Sequence, residues 1–219
     1  MDQNPLSSPD TADLDLANQV GQHLRTLQLS VDVDAAQELL SGAAYNLAGA
    51  RIAHGLLRWK ASGDYDTIRS SVANEQWDLF EIAAVDMCLR SLVTALDLCA
   101  AALFRLGGGH RASGETDLRR WDSDVGRTPL SLPAQLTGWA DLRHSSEFKD
   151  LVDSRNDATH RRRLVTAAVG APAALSIDYG GTSRPVLQLT DEIGEYGRKK
   201  FRDLCTLLLT WSPRATAIP

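Results

Sequence analysis

The longest apolar stretch of the chain, Asn74–Leu106, reads NEQWDLFEIAAVDMCLRSLVTALDLCAAALFRL. Its apolar residues recur every three to four positions, which predicts one amphipathic helix whose stripe spans about eight turns. Asn74 suits the N-cap and the glycines at 107–109 end the pattern. The stripe consists of Trp77, Phe80, Ala84, Cys88, Leu92, Leu96, Cys99 and Leu103. Because charged residues interrupt this stretch, we expect a central core helix and not a membrane span.

Further helices are predicted on both sides of this central one. The same period recurs over Asp10–Leu29 and Asp34–Ala61, and again over Asp191–Trp211 with Thr190 as its N-cap. Two short helices are expected between the central helix and residue 145, one around Thr116–Asp124 and one starting at Pro133.

A short β element is predicted before the last helix. Ala174–Asp178 and Pro185–Leu189 alternate apolar and polar residues, and Tyr179–Thr182 between them is rich in glycine. The fold class expected is therefore mainly all-α, an antiparallel bundle of about five helices with a small β-hairpin. We expect a disordered tail at 1–9, a single helical domain at 10–212 and a C-terminal tail at 213–219.

The charge and the cysteine content limit the classes of function that the chain can have. The net charge is −5, so no overall positive field attracts nucleic acid, and any RNA contact requires a local basic patch. Cys88, Cys99 and Cys205 lie far apart in apolar helical stretches, which favours buried, reduced thiols. The first ten residues lack the features of a signal peptide, so a cytoplasmic location without membrane attachment is expected. No spacing typical of a metal site occurs, and we expect no cofactor.

The chemistry-bearing residues cluster in the predicted helix Ser146–Val169. Within it, Arg155 and Asn156 are followed by His160 and by the basic run Arg161, Arg162 and Arg163. On a regular helix Asn156 and His160 are one turn apart and share a face, whereas Arg155 lies about 140° around the axis from His160.

Arg155, Asn156 and His160 resemble the R-x4–6-H motif of the HEPN superfamily, in which a polar residue commonly follows the arginine. The resemblance implies a helical bundle, often a homodimer, acting as a metal-independent endoribonuclease of toxin–antitoxin or phage-defence type. An antitoxin or regulatory protein is then a possible partner. Other HEPN domains are non-catalytic dimerisation, scaffold or RNA-binding modules, and that alternative stays open, as does an unrelated helical protein.

The resemblance assigns a role to each residue of the motif. Arg155 would stabilise charge on the phosphate, His160 would transfer protons, and Asn156 would orient the histidine or the scissile phosphate. The three arginines at 161–163 would bind the RNA strand. HEPN toxins paired with nucleotidyltransferases carry a tyrosine two residues after the histidine, and this chain has Arg162 there, so membership of that subgroup is in doubt.

A second match to the motif, Arg105 to His110, has leucine after the arginine and lies at the end of the central helix. Because of these two differences, Arg155 to His160 is the preferred candidate for the motif.

Overall fold

The computed structural model describes residues 11–61, 74–110, 116–160, 176–179 and 181–212. For residues 74–80, 157–160 and 176–178 it describes the backbone alone. The helices are α1 (Ala12–Thr26), α2 (Val33–Ala61), α3 (Asn74–Leu106), α4 (Trp121–Arg127), α5 (Ala134–Trp139), α6 (Ser146–His160) and α7 (Val186–Thr210), and a 3-10 helix (Ala140–His144) follows α5. The described chain is thus mostly helical, which confirms the mainly all-α class.

Two short strands lie between α6 and α7. β1 (Ser176–Tyr179) and β2 (Thr182–Pro185) pair antiparallel, with Ser176 opposite Pro185 and Tyr179 opposite Thr182. Gly181 in the connection has a φ of +76°, a conformation that glycine adopts without strain.

The prediction of a strand over Pro185–Leu189 was wrong. Pro185 ends β2, and the following four residues form the first turn of α7, which begins at Val186 and not at Asp191. Thr190 is therefore inside the helix, where its hydroxyl donates to the carbonyl of Val186 at 2.9 Å instead of capping an end. The buried residues Val186, Leu189 and Ile193 show the helical period that the alternating pattern concealed.

The segment after α3 contains the two short helices that were predicted, with one change of boundary. Residues 118–120 form a turn, so α4 begins at Trp121 and not near Thr116. The glycine run ends α3 as expected, since the helix stops at Leu106 and Gly108 has a φ of +82°. Pro133 stands immediately before α5, as its fixed backbone angle favours.

The chain divides into two compact units, and α2, α3 and α7 each contribute to both. The first unit contains Asn46–Thr94 and His144–Arg198, and the second contains Thr11–Tyr45, Ala95–Arg143 and Lys199–Pro219. All residues of the predicted motif belong to the first unit.

The second unit is held by an apolar core and by hydrogen bonds that fix its loop. The rings of Phe104 and Trp121 meet edge to face with centroids 6.5 Å apart, which anchors the start of α4 on the end of α3. The amide of Leu118 donates to Asp97 at 3.1 Å. The buried Thr116 hydroxyl donates to the carboxylate of Asp124 at 2.5 Å. Residues 116–124, which follow α3, are therefore held against the core of the second unit.

Within the described residues, one segment, Glu81–Leu106, is long and apolar enough to cross a membrane by length and composition. Of its most apolar window, 67% is buried inside the protein. Core helices pass the same test, and this burial favours that interpretation. The three cysteines are free and buried, as predicted.

Candidate functional site

Helix α6 starts at a defined cap. Ser145 precedes its first residue, and the Ser145 hydroxyl accepts a hydrogen bond from the amide of Phe148 at 3.2 Å. This is the N-cap geometry in which a short side chain satisfies an otherwise unpaired amide of the first turn. The same hydroxyl lies 3.3 Å from the hydroxyl of Tyr196 on α7. The first turn of the motif helix is therefore tied to α7 within the first unit.

One face of α6 is buried. Phe148, Leu151 and Val152 are at most 8% exposed and recur at helical spacing. The backbone carbonyl of Glu147 accepts a hydrogen bond from the hydroxyl of Tyr179, the last residue of β1, at 3.3 Å. Burial raises the pKa of Tyr179, and the nearby carboxylate of Asp150 adds to the effect. Tyr179 is thus a neutral hydrogen-bond donor that fixes β1 to the helix.

Arg155 continues the buried stripe of α6. It lies seven residues, or two turns, after Phe148. The residue is half-buried, and its Nε atom is buried. Asn156 is also half-buried. Packing along this stripe limits the conformations of the arginine, which a phosphate-binding guanidinium requires.

The structure describes the rest of the motif only in part. The backbone of α6 remains helical through His160, so Asn156 and His160 are one turn apart on one continuous helix. Side chains of this helix are described as far as Asn156. Arg161, Arg162 and Arg163 lie outside the described residues, and so does the part of the predicted helix that follows His160. The structure therefore places Arg155 and Asn156 at consecutive positions of α6, about 100° apart around its axis, and gives the register of His160.

The second match to the motif forms a direct contact. Nη1 of Arg105 and Nδ1 of His110 are 3.0 Å apart, in the second unit. Because a guanidinium can only donate, the neutral histidine must accept at Nδ1 and carry its proton on Nε2. His110 is exposed. Because this pair has the same spacing as Arg155 and His160 but lies in the second unit, substitutions in it can serve as controls for substitutions in the motif of α6.

A further histidine of the first unit is held by a hydrogen bond between two helices. His54 on α2 is half-buried, and its Nδ1 atom lies 2.8 Å from the hydroxyl of Thr190 on α7. That hydroxyl donates its one proton to the carbonyl of Val186 at 2.9 Å, so it accepts from the imidazole. The neutral ring of His54 thus has its proton on Nδ1 and a lone pair on Nε2.

Charged groups of both signs act on the imidazole of His54. The carboxylate of Asp191 lies 3.7 Å from it and is 64% exposed. Burial lowers the pKa of His54, the carboxylate of Asp191 opposes that shift, and the positive charges of Arg58 and Arg198 reinforce it. The imidazole is therefore neutral near pH 7 and poised to gain a proton if more negative charge arrives.

His54 was not singled out from the sequence, and its hydrogen bond to Thr190 is what a structural histidine would form. His54 and Arg58 are four residues apart on α2, and Thr190, Gly194 and Arg198 are four residues apart on α7. Two polar residues flanking a glycine on one helix face were a signal that a sequence search could have used. The pairing of the two helices was not available from sequence, since the contact joins residues 136 positions apart.

Comparison with known proteins finds no match for this chain: no family model, no curated protein and no solved structure is significantly similar to it. Its function is therefore inferred from its own residues.

Proposed function

We propose that this protein is a metal-independent endoribonuclease of HEPN type whose site is built on α6. The observation that carries the proposal is the placement of Arg155, Asn156 and His160 on a single continuous helix. The half-buried arginine and amide are adjacent, and the histidine follows one turn after the amide.

Arg155 supports the proposal through its packing. A phosphodiester under attack gains negative charge on its non-bridging oxygens, and a guanidinium donates two parallel hydrogen bonds to such a group. An arginine already restricted by burial loses little conformational freedom on binding, so its charge is preorganised for the transition state. Asn156 supplies an amide that can hold either the phosphate or the imidazole.

His160 would carry the proton transfers. In the proposed reaction the 2′-hydroxyl gives its proton to a neutral imidazole as its oxygen attacks the adjacent phosphorus. The bond from phosphorus to the 5′-oxygen then breaks, and that oxygen takes a proton from an imidazolium. The products are a 2′,3′-cyclic phosphate and a free 5′-hydroxyl, with no net gain or loss of protons.

One motif offers one histidine, whereas the reaction uses a base and an acid. The proposal therefore includes a homodimer in which two copies of α6 face one groove. Arg161, Arg162 and Arg163 would bind the strand through its phosphates. In this proposal the helices form an antiparallel bundle, β1 and β2 flank the groove beside α6, and the protein acts in the cytoplasm with an antitoxin or regulator as a possible partner.

The test is cleavage of a mixed RNA pool by the purified protein in the presence of a chelator. We compare the parent with His160→Ala and Arg155→Ala, and use His110→Ala and Arg105→Ala as matched controls from the other motif match. Loss of a proton-transfer group is expected to slow cleavage by about 10²- to 10⁴-fold. The 3′ ends of the products are identified by their resistance to a ligase that requires a 3′-hydroxyl, until the cyclic phosphate is opened and the resulting monophosphate is removed.

Cleavage that depends on His160 and Arg155 but not on His110 and Arg105 supports the proposal. Cleavage that survives His160→Ala, in variants with the parent's circular dichroism spectrum, refutes it. RNA binding without any cleavage would assign the chain to the non-catalytic modules, a reading that the partial burial of Arg155 also accommodates.

A further inference from the structure

We infer that His54, Arg58 and Arg198 form a phosphate-binding site on the face of α2 and α7 that surrounds Gly194. These residues lie on α2 and α7 and not on the motif helix α6, and the inference does not depend on RNA cleavage. Its three basic side chains come from two helices of the first unit.

His54 is held in one tautomer when neutral. Its Nδ1–H donates a hydrogen bond to the hydroxyl of Thr190 at 2.8 Å, and that hydroxyl donates in turn to the carbonyl of Val186. The remaining nitrogen, Nε2, therefore has a fixed orientation, and the nearby carboxylate of Asp191 lies beyond hydrogen-bond distance from it. When this nitrogen is protonated, it becomes a charged donor for an oxyanion.

Arg198 is only partly satisfied by its neighbours among the described residues. Its Nη2 atom pairs with the exposed carboxylate of Glu195 one turn earlier. Its Nε atom is buried and has no hydrogen-bond acceptor among the described residues. A buried N–H without an acceptor costs free energy, and an incoming oxyanion would satisfy it. Arg58, which is exposed, adds a second positive charge near His54.

The surface of α7 at Gly194 is open. Thr190, Gly194 and Arg198 occupy successive turns of one face of α7. A Cβ atom added at Gly194 would meet no atom within 4 Å. The helix surface between the histidine-bonded threonine and the arginine is thus open, and a small tetrahedral anion can approach the backbone there.

The two carboxylates that face these basic groups are largely exposed to solvent. Asp191 and Glu195 provide two negative charges on the same helix, and their side chains are 64% and 65% exposed. The carboxylate of Asp191 is 3.7 Å from Nε2 of His54, which is beyond hydrogen-bond distance. Both carboxylates can turn into solvent when a phosphate takes their place. Binding is then coupled to uptake of a proton by His54.

The experiment follows the C2–H resonance of His54 by NMR while inorganic phosphate is added to the intact chain. The resonance is assigned by its loss in His54→Gln. We expect a saturable shift, a higher pKa for His54 in the bound state, and tighter binding near pH 6 than near pH 7. Arg198→Gln is expected to weaken binding by about tenfold or more, the effect of one charge-assisted hydrogen bond.

Two variants separate binding from damage to the fold. Asp191→Asn removes the competing carboxylate from an exposed position and is expected to tighten phosphate binding, opposite in sign to Arg198→Gln. Gly194→Leu fills the open surface without changing charge and is expected to abolish binding. Arg127→Gln, at an exposed arginine of α4, is the matched charge control and is expected to have no effect.

A second arm distinguishes the source of the phosphate. A short RNA without terminal phosphates is titrated into the His160→Ala chain, in which the proposed cleavage is absent. If the RNA binds, and the variants rank in the same order of affinity for RNA as for phosphate, the site recognises the strand backbone. If only inorganic phosphate binds, the site recognises a free or terminal phosphate. Either result supports the site even if the chain proves not to be a nuclease. An unmoved His54 resonance in folded protein, or weaker binding in Asp191→Asn, overturns it.

Discussion

Gly194 and Gly197 lie three residues apart on α7, and the structure predicts opposite consequences when each is replaced by alanine. At Gly197 an added Cβ would lie 2.7 Å from Cδ2 of Leu92 and 3.5 Å from Cδ2 of Leu47. Both leucines are at most 1% exposed, so neither side chain has room to move away. At Gly194 the same methyl group meets no atom within 4 Å.

The magnitudes follow from helix propensity and overpacking. Replacing a helical glycine by alanine stabilises a helix by about 1 kcal/mol when nothing obstructs the methyl group. Gly194→Ala is therefore expected to raise the free energy of unfolding by about that amount. At Gly197 an overpacking cost of about 1–3 kcal/mol opposes the same gain, so the net change lies between about zero and a loss of 2 kcal/mol.

The assay is urea unfolding of both variants and the parent, followed by far-ultraviolet circular dichroism. The dependence of the free energy on urea concentration serves as the control, since it must stay constant for the midpoints to be compared. A Gly197→Ala chain as stable as Gly194→Ala would refute the close approach of α7 to Leu92. A destabilised Gly194→Ala chain would show that its methyl group meets atoms that the structure does not place there.

Three further predictions concern a cap, a buried hydrogen bond and a titrating histidine. Ser145→Ala is expected to cost about 1 kcal/mol and to speed hydrogen exchange at the amide of Phe148; unchanged exchange would contradict the cap. Thr116→Val removes the hydroxyl donor to the buried carboxylate of Asp124, and is expected to lower the free energy of unfolding by about 1–3 kcal/mol, measured in urea; no loss would refute the bond. The pKa of His54 is held below its ordinary 6.5 by burial, so the unfolded chain gains this proton first and stability falls as the pH drops below that value. His54→Gln is expected to lose less stability than the parent between about pH 7.5 and pH 5.5 in urea titrations, and an equal loss would count against the shift.

Helical periodicity predicted most of the helices, and it failed where two periods fit the same residues. The long runs that became α2 and α3 offer many turns over which a period can be recognised. Val186–Leu189 is too short to separate a strand from a helix, and the preceding proline fitted an edge strand as well as a helix start. Tertiary burial of Val186 and Leu189 decided the outcome.

The prediction of the candidate site from sequence was limited in a similar way. Sequence placed Arg155, Asn156 and His160 on one helix, because their spacing is local. It contained no information on the packing of Arg155, which depends on the residues that cover α6. It also did not disclose the contact of His54 with Thr190, since neither helix pattern specifies its neighbour.

The buried cysteines give the molecule an internal probe of its own opening. Cys88 lies in the first unit, and Cys99 and Cys205 lie in the second. Burial raises the pKa of Cys88 and Cys205 to about 12 and raises that of Cys99 well above its ordinary value, so the reactive thiolate is scarce while the core is closed. Alkylation at neutral pH therefore proceeds only through molecules that have exposed a given thiol. Mass spectrometry of the labelled peptides would time the opening of each unit separately, without any engineered label.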